Sequence, residues 1–215
     1  VIVDPVLTLT LPPRATAGSG LDALTYAIES YISLDANPIT SLLSLKGIEL
    51  IAQYLPKAFS KGSDLQARSA MSLAAMMAGI SIANAGTCSG HAAAYGYAAR
   101  YKISHGFSVA VALPYILEFS LVSCPEKATA IADAMGVTTS DLSPADVLMR
   151  AVQAVIRLMQ EVQSPMSLSQ LGIPRTEIPR IAQEMLKTKR LMVHNPRPVT
   201  ESQAVEIIAK MWEGK

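Results

Sequence analysis

The longest stretch without a charged side chain runs from Ser69 to Ala99, and it constrains the fold more than any other feature of the sequence. An uncharged segment of this length either crosses a membrane or lies in the interior of a folded domain. Asn84, His91 and four glycines interrupt it, and Gly86 to Gly90 would break a single spanning helix. We therefore predict two buried core helices joined by a break, and no membrane span.

The rest of the chain has helical periodicity with clear helix-start signals, which predicts an all-α bundle. The predicted helices span about 16–33, 38–54, 64–84, 91–101, 105–120, 125–135, 144–163, 175–187 and 200–212. Leu55-Pro56 is predicted to interrupt the second helix, because proline lacks the amide donor that a helix interior needs. Val1 to Leu11 alternates β-branched and leucine residues before Pro12-Pro13, which predicts a short N-terminal β arm. No irregular segment is long enough to divide the chain, so we predict one domain over residues 1–215.

Composition excludes several classes of protein. The net charge is +1 and only 16% of residues are charged, so the basic face of a nucleic-acid-binding protein is missing. Cys88 and Cys124 form neither a disulfide framework nor a CxxC zinc clamp, which makes a reducing cytoplasm the expected compartment. The N-terminus has no signal-peptide pattern. It also has no initiator methionine, so we expect the chain to begin inside a longer protein.

Two segments hold the side chains best suited to bind a metal ion. Asp22 and Tyr26 are four residues apart in one segment, and His91 and Tyr95 are four apart in the other, which puts each pair on one helical face. His105 follows in a chain with only three histidines. One aspartate and two histidines can hold a divalent cation with a position open for a substrate oxygen. The sequence therefore predicts a metal site formed by Asp22, His91 and His105.

A second interpretation of these residues involves no metal. Asp22 would cap the start of a helix, and the two histidines would be hydrogen-bonded core residues. Two features favour the metal site instead: His91 follows a glycine break in the uncharged stretch, and His105 begins an apolar helix. Both imidazoles therefore lie where desolvation is costly unless they have a partner.

Several longer motifs resemble those of the iron-containing (group III) alcohol dehydrogenases. The motifs are Asp4-Pro5 through Leu11-Pro12-Pro13, Gly20-Leu21-Asp22-Ala23-Leu24, Gly90-His91-Ala92, His105-Gly106, Leu113-Pro114-Tyr115 and Asn195-Pro196-Arg197-Pro198. The first two resemble the start of that family's helical domain, the next three its metal signature, and the last its C-terminal end. The resemblance extends in order over nearly the whole chain.

The resemblance implies an all-α metal-binding domain of the dehydroquinate-synthase-like fold, which in the family follows an α/β nucleotide-binding domain. It also implies hydride exchange between a small alcohol or aldehyde and NAD(H) or NADP(H). By motif position Asp22, His91 and His105 would bind a divalent metal, Fe or Zn, that acts as a Lewis acid on the substrate oxygen. The implied partners are the substrate and the nucleotide-binding domain of the same enzyme, and we expect a homo-oligomer.

Two tyrosines depart from the family pattern. Tyr26 stands where iron-dependent members have a fourth ligand histidine, and Tyr95 stands where members often have a histidine near the nicotinamide. A phenol with a pKa near 10 is a poor neutral ligand, although a metal can bind it as phenolate. Tyr26 is thus a candidate fourth ligand, while zinc held by three protein ligands would not need it. Tyr95 is a candidate catalytic proton relay or, in the competing interpretation, a core tyrosine bonded to a backbone carbonyl.

The sequence has no site for the dinucleotide itself. A pyrophosphate is usually held on a glycine-rich turn between a strand and a helix, whereas Gly18-Ser19-Gly20 follows prolines and Gly86 to Gly90 lies between helices. We therefore expect the chain alone to be inactive, with NAD or NADP bound by the missing domain. The alternative function is a metal-free helical scaffold or assembly module that kept the fold while the two tyrosines silenced the metal site.

Overall fold

A computed structural model describes residues 2–214 and confirms the predicted helical fold. Its α-helices are α1 Pro13–Ile32, α2 Pro38–Ser60, α3 Leu65–Ala85, α4 Ser89–Tyr95, α5 His105–Leu121, α6 Pro125–Ala134, α7 Pro144–Glu161, α8 Ile178–Lys187, α9 Lys189–Met192 and α10 Glu201–Glu213. Short 3-10 helices span Pro5–Thr8 and Arg175–Glu177. Val1 and Lys215, the end residues of the predicted domain, lie outside the described residues.

The predicted N-terminal β arm is wrong. Pro5–Thr8 form a 3-10 helix, and the Asp4 carboxylate caps it by accepting a hydrogen bond from the Val6 amide at 2.9 Å. Proline at the first helical position already has the required φ, and a lone strand would find no second strand between residues 2 and 214 to pair with. Val1, where the predicted arm began, is not among the described residues.

The predicted interruption of the second helix is also wrong, because α2 continues through Pro56 to Ser60. Proline forfeits one helical hydrogen bond, yet Leu55 and Ala58 on either side of it are fully buried. Packing against the neighbouring helices therefore outweighs the lost hydrogen bond. A third difference concerns α4, which ends at Tyr95, since the chain continues in turns to Lys102 with Gly96 packed closely against Ile181.

The uncharged stretch forms two helices with a break, as predicted: α3 ends at Ala85 and α4 begins at Ser89. The predicted burial is confirmed for α4 but is wrong for one face of α3, where Leu73, Met76 and Ile80 are 40%, 37% and 44% exposed. Among the described residues no single helix is long and apolar enough to cross a membrane. Helices α3 and α4 meet that criterion only when taken together, and they bend by 95° where they join.

Helix α5 lies at the centre of the fold between two hydrophobic cores. Leu113 and Leu117 face the core formed mainly by α1, α2, α3, α6 and α7, whereas Val109 and Ile116 face the core formed with α4, α8 and α10. Every residue from Phe107 to Leu117 is buried, which explains why the α5 sequence is apolar on all sides. The N-terminal end of this helix meets α1 and α4, and the candidate site lies at that junction.

Candidate metal centre

Three helices bring the predicted ligands to one point. Asp22 lies in the middle of α1, His91 in the first turn of α4, and His105 is the first residue of α5. One ligand atom from each of the three lies within 4.8 Å of the other two. This confirms the predicted convergence to within about 5 Å, a spread that suits ligands about 2.0 to 2.2 Å from one ion.

Two glycines permit the close crossing of α1 and α5 that joins Asp22 to His105. Gly18 lies one turn before Asp22, and Gly106 directly follows His105. A methyl group at position 106 would overlap the Gly18 carbonyl group, so the two backbones touch at this crossing. The Gly106 of the family-like motif is therefore explained by helix packing.

The polar atoms at the centre of the cluster lack protein partners. The Asp22 Oδ1 atom is 3.5 Å from the His105 Nε2 atom and 4.0 Å from the His91 Nε2 atom. Both Asp22 Oδ1 and His91 Nε2 are buried without a hydrogen bond to any described residue. Buried polar atoms are nearly always paired, so this arrangement calls for a further group between them. One carboxylate and two imidazoles fit Fe or Zn as that group.

The helix-capping role that the metal-free interpretation gave to Asp22 is wrong. Asp22 lies in the interior of α1, nine residues after Pro13, and so does not cap a helix start. Burial raises the pKa of Asp22, and the nearby His105 and His91 lower it in part. A desolvated carboxylate with an unpaired oxygen gains stability from a neighbouring cation.

Glu29 fixes the orientation of His91, a role that was not predicted from the sequence. The fully buried Glu29 carboxylate accepts hydrogen bonds from the Gly90 amide at 2.6 Å, the Cys88 amide at 3.0 Å and the His91 Nδ1 atom at 2.6 Å. A carboxylate acceptor keeps the proton on Nδ1, which leaves the Nε2 lone pair facing Asp22. Glu29 follows Asp22 by seven residues, two helical turns, and that spacing could have indicated its position.

A second buried contact anchors the start of α4 to the C-terminal part of the chain. The Asn195 side-chain oxygen accepts a hydrogen bond from the Ser89 hydroxyl at 2.7 Å, and its amide group donates to the Arg197 carbonyl at 2.6 Å. The Asn195-Pro196-Arg197-Pro198 motif thus holds the helix that carries His91.

The Tyr26 hydroxyl faces the cluster, as expected from its spacing with Asp22. It is 3.4 Å from the His105 Nε2 atom, and the Tyr26 ring stacks on the His91 ring with centroids 4.8 Å apart. Burial, together with electrostatic repulsion from the nearby Asp22, Tyr95 and Glu29, raises the pKa of Tyr26 to about 12. Without a metal Tyr26 is therefore a neutral phenol at physiological pH.

Tyr95 does not have the environment of a core tyrosine. Its side chain is 48% exposed, and its hydroxyl accepts a hydrogen bond from the Arg190 guanidinium at 3.4 Å. The interpretation that bonded it to a backbone carbonyl in the core is therefore wrong. Tyr95 and Arg190 line an open cleft of about 380 Å³, whose wall also includes Tyr26 and His91.

The third histidine lies outside the cluster. His194 lines the same cleft, but its Nδ1 atom is 2.7 Å from an Asp35 carboxylate oxygen. His194 is therefore paired with Asp35 and is not one of the three clustered residues.

Known proteins match both the sequence and the fold. The profile of the Fe-containing alcohol dehydrogenase family, C-terminal, matches residues 16–212. The chain is 37% identical over 213 residues to long-chain-alcohol dehydrogenase 1 of Geobacillus thermodenitrificans, covering 99% of this chain and 54% of that protein. It is 39% identical over 211 residues to 1,3-propanediol dehydrogenase of Citrobacter freundii, covering 98% and 54%. The chain thus spans about half the length of the curated relatives it matches.

Solved structures give the same result. A 1,3-propanediol oxidoreductase superposes with a TM-score of 0.93 at 38% identity, over 95% of this chain and 53% of that one. An alcohol dehydrogenase from Oenococcus oeni superposes with a TM-score of 0.94 at 34% identity, over 97% and 54%. The family profile, the relatives and the helical architecture agree over almost all of the residues. The chain therefore belongs to the Fe-containing alcohol dehydrogenase family, and it corresponds to the C-terminal helical part of its members.

Proposed function

We propose that this chain is the metal-binding, catalytic half of an NAD(P)-linked alcohol dehydrogenase or aldehyde reductase. One observation carries the proposal: Asp22, His91 and His105 converge within 4.8 Å, with two buried donor atoms that have no partner among the described residues. The cluster lies beside an open cleft, so a small molecule can reach it. Family membership supports alcohol oxidation or aldehyde reduction as the reaction.

In this proposal Asp22, His91 and His105 hold a divalent metal, Fe or Zn, with Tyr26 as the candidate fourth ligand. The metal would supply a Lewis acid that polarises the substrate oxygen. Glu29 keeps the proton on the His91 Nδ1 atom, which would leave the Nε2 lone pair free to bind such an ion. The other residues of the cleft bind and orient the substrate.

Oxidation of an alcohol removes a hydride from its carbon, which a bound nicotinamide would accept, and the hydroxyl proton must leave at the same stage. We assign the proton to the Tyr95 hydroxyl oxygen, which releases its own proton to solvent. Its half-exposed position in the cleft supports this relay. Position is the first requirement for this role, because a proton relay must reach both the substrate and water before its acidity matters.

The nicotinamide cofactor belongs, in this proposal, to a nucleotide-binding domain of the same enzyme. The chain spans 54% of the length of long-chain-alcohol dehydrogenase 1. No strand followed by a glycine-rich turn occurs between residues 2 and 214. The relatives' names include long-chain-alcohol, 1,3-propanediol and methanol dehydrogenases, which supports an alcohol or aldehyde as substrate. Ile2 and Leu7 are 95% and 80% exposed, which supports burial of this segment against the other domain or a second subunit.

We also propose a reducing cytoplasmic location. Cys88 and Cys124 are both free and buried, and burial raises the pKa of each thiol. The two residues therefore suit a compartment where thiols stay reduced.

Elemental analysis of the protein purified without chelator tests this function against the metal-free scaffold. We expect about one Fe or Zn per chain, as for a single site with three or four ligands. A metal-free protein that also fails to bind added Zn(II) or Fe(II) would favour the scaffold. Calorimetric titration with NAD and NADP completes the test, because micromolar affinity in this chain would contradict a cofactor site on another domain.

A further inference from the structure

The cleft beside the metal centre has an uneven distribution of charge. Arg190 is the one lysine or arginine among the described residues that line it, and no aspartate or glutamate lines it. Arg190 is exposed, and its hydrogen bond is to the Tyr95 hydroxyl at 3.4 Å. Within residues 2–214 it makes no ion pair, unlike His194, which faces Asp35 at 2.7 Å. The guanidinium is therefore free to receive an anion.

The rest of the lining includes residues of the candidate metal centre and apolar side chains. Tyr26 and His91 belong to the metal centre, while Ile82 and Leu191 supply apolar surface. The cleft volume of about 380 Å³ is at the small end of the range typical for ligand sites. A complementary molecule is short, with an oxygen for the metal, an apolar middle and an anionic group for Arg190.

We propose that the substrate is a short alcohol or aldehyde that carries a carboxylate, and that Arg190 binds this carboxylate beside the Tyr95 hydroxyl. This assignment of substrate class rests on the proposed function. A planar guanidinium matches a carboxylate with two parallel hydrogen bonds, which a lysine in the same place would not provide. The carboxylate then fixes which end of the substrate reaches the metal centre.

A direct binding experiment tests the proposal on the zinc-loaded protein. The probes are γ-hydroxybutyrate and its primary amide, which have the same length and differ in charge. Calorimetry measures both affinities for the native protein, for Arg190→Met, for Arg190→Lys and for Lys189→Met. Lys189 is the matched control, since this adjacent exposed cation lines a different cavity, with Leu186 and Met192.

We expect the native protein and Lys189→Met to prefer the carboxylate about 10-fold or more, as for a charge-assisted hydrogen bond. Arg190→Met should bind the two probes about equally, and Arg190→Lys should keep part of the preference. Equal binding by the native protein, or a preference that survives in Arg190→Met, would overturn the proposal. Because Arg190 is exposed, thermal unfolding should be the same in all four proteins.

Kinetics of the enzyme that contains both domains separate a substrate carboxylate from a cofactor phosphate. We expect Arg190→Met to raise the KM for the hydroxy acid and to leave the KM for the dinucleotide unchanged. A rise confined to the dinucleotide KM would overturn the proposal and assign Arg190 to the cofactor. If no alcohol is oxidised while the carboxylate preference persists in calorimetry, the proposed function fails and the anion site stands.

Discussion

His91 and His105 present the same imidazole atom to one cluster from opposite environments. The His91 side chain is 3% exposed and is held by Glu29, whose carboxylate also accepts two backbone amide hydrogen bonds. The His105 side chain is 44% exposed, and its Nε2 atom lies near Asp22 and the Tyr26 hydroxyl. We call the first environment the buried wall, made by Glu29 and His91, and the second the open wall, made by His105 and Tyr26.

The two walls differ in what they would do for a metal site: one fixes the position of a ligand, and the other leaves the site accessible. The buried wall fixes the position of His91, because its hydrogen bond to Glu29 would have to break before the ring could turn, and two backbone amides hold Glu29 in place. The open wall leaves the cluster accessible to solvent, because His105 is 44% exposed and Tyr26 lines the cleft. We expect substitutions in the buried wall to affect metal affinity more strongly than those in the open wall.

The largest effect should come from removing a ligand of the buried wall. His91→Ala should weaken Zn(II) binding more than about 100-fold, beyond the loss typical of a group that only orients a ligand. His105→Ala should cost less, since water can take the exposed position. Competition titration with a chromogenic chelator measures both. His194→Ala is the matched control, and equal losses in all three variants would contradict the assigned cluster.

Glu29→Gln should produce the next largest effect, about a 10- to 100-fold loss of Zn(II) affinity. Glutamine keeps the shape, but its amide group cannot accept all three hydrogen bonds or hold the proton on the His91 Nδ1 atom. Nitrogen NMR of the His91 ring should show a change of tautomer in the variant. The exposed Glu49, which pairs with Lys46, provides the control Glu49→Gln. An unchanged tautomer together with unchanged Zn(II) affinity would show that Glu29 does not orient His91 for metal binding.

Gly106→Ala should lower the free energy of unfolding by about 1 to 3 kcal/mol, the usual cost of overpacking. The added methyl group meets the Gly18 carbonyl and pushes α5 away from α1, so Zn(II) affinity should fall with stability. Gly79→Ala is the matched control in another helix, where nothing lies within 4 Å of the added methyl group. That variant should be neutral or more stable by up to about 1 kcal/mol. Chemical denaturation measures both, and equal effects would show that the crossing tolerates a side chain.

The smallest effect should be a change of metal preference at the open wall. Tyr26→His should raise Fe(II) affinity several-fold relative to Zn(II), since imidazole adds a neutral donor that ferrous iron accepts. Tyr26→Phe should lower affinity only slightly, because the phenol with its pKa near 12 must lose a proton before it binds as phenolate. Parallel titrations under anaerobic conditions give both ratios. An identical Fe(II) to Zn(II) ratio in all three proteins would exclude Tyr26 from the coordination sphere.

Local sequence signals determined the helical class and the candidate ligands. Asp64 was predicted to begin α3 and does cap it, and Thr200 caps α10 in the same way, because a capping side chain reaches only backbone atoms within three residues. The spacing of Asp22 and Tyr26 placed both on one face of α1 for the same local reason. The motifs around His91 and His105 then completed the candidate ligand set.

Only the tertiary structure decided the features that depend on distant partners. Glu29 reaches the His91 Nδ1 atom across 62 positions of sequence, and Arg190 reaches the Tyr95 hydroxyl across 95. Burial on both sides of Pro56 carried α2 through a residue that locally predicts a stop. Periodicity and capping report the preferences of a few consecutive residues, whereas burial and long-range hydrogen bonds exist only once the helices have packed.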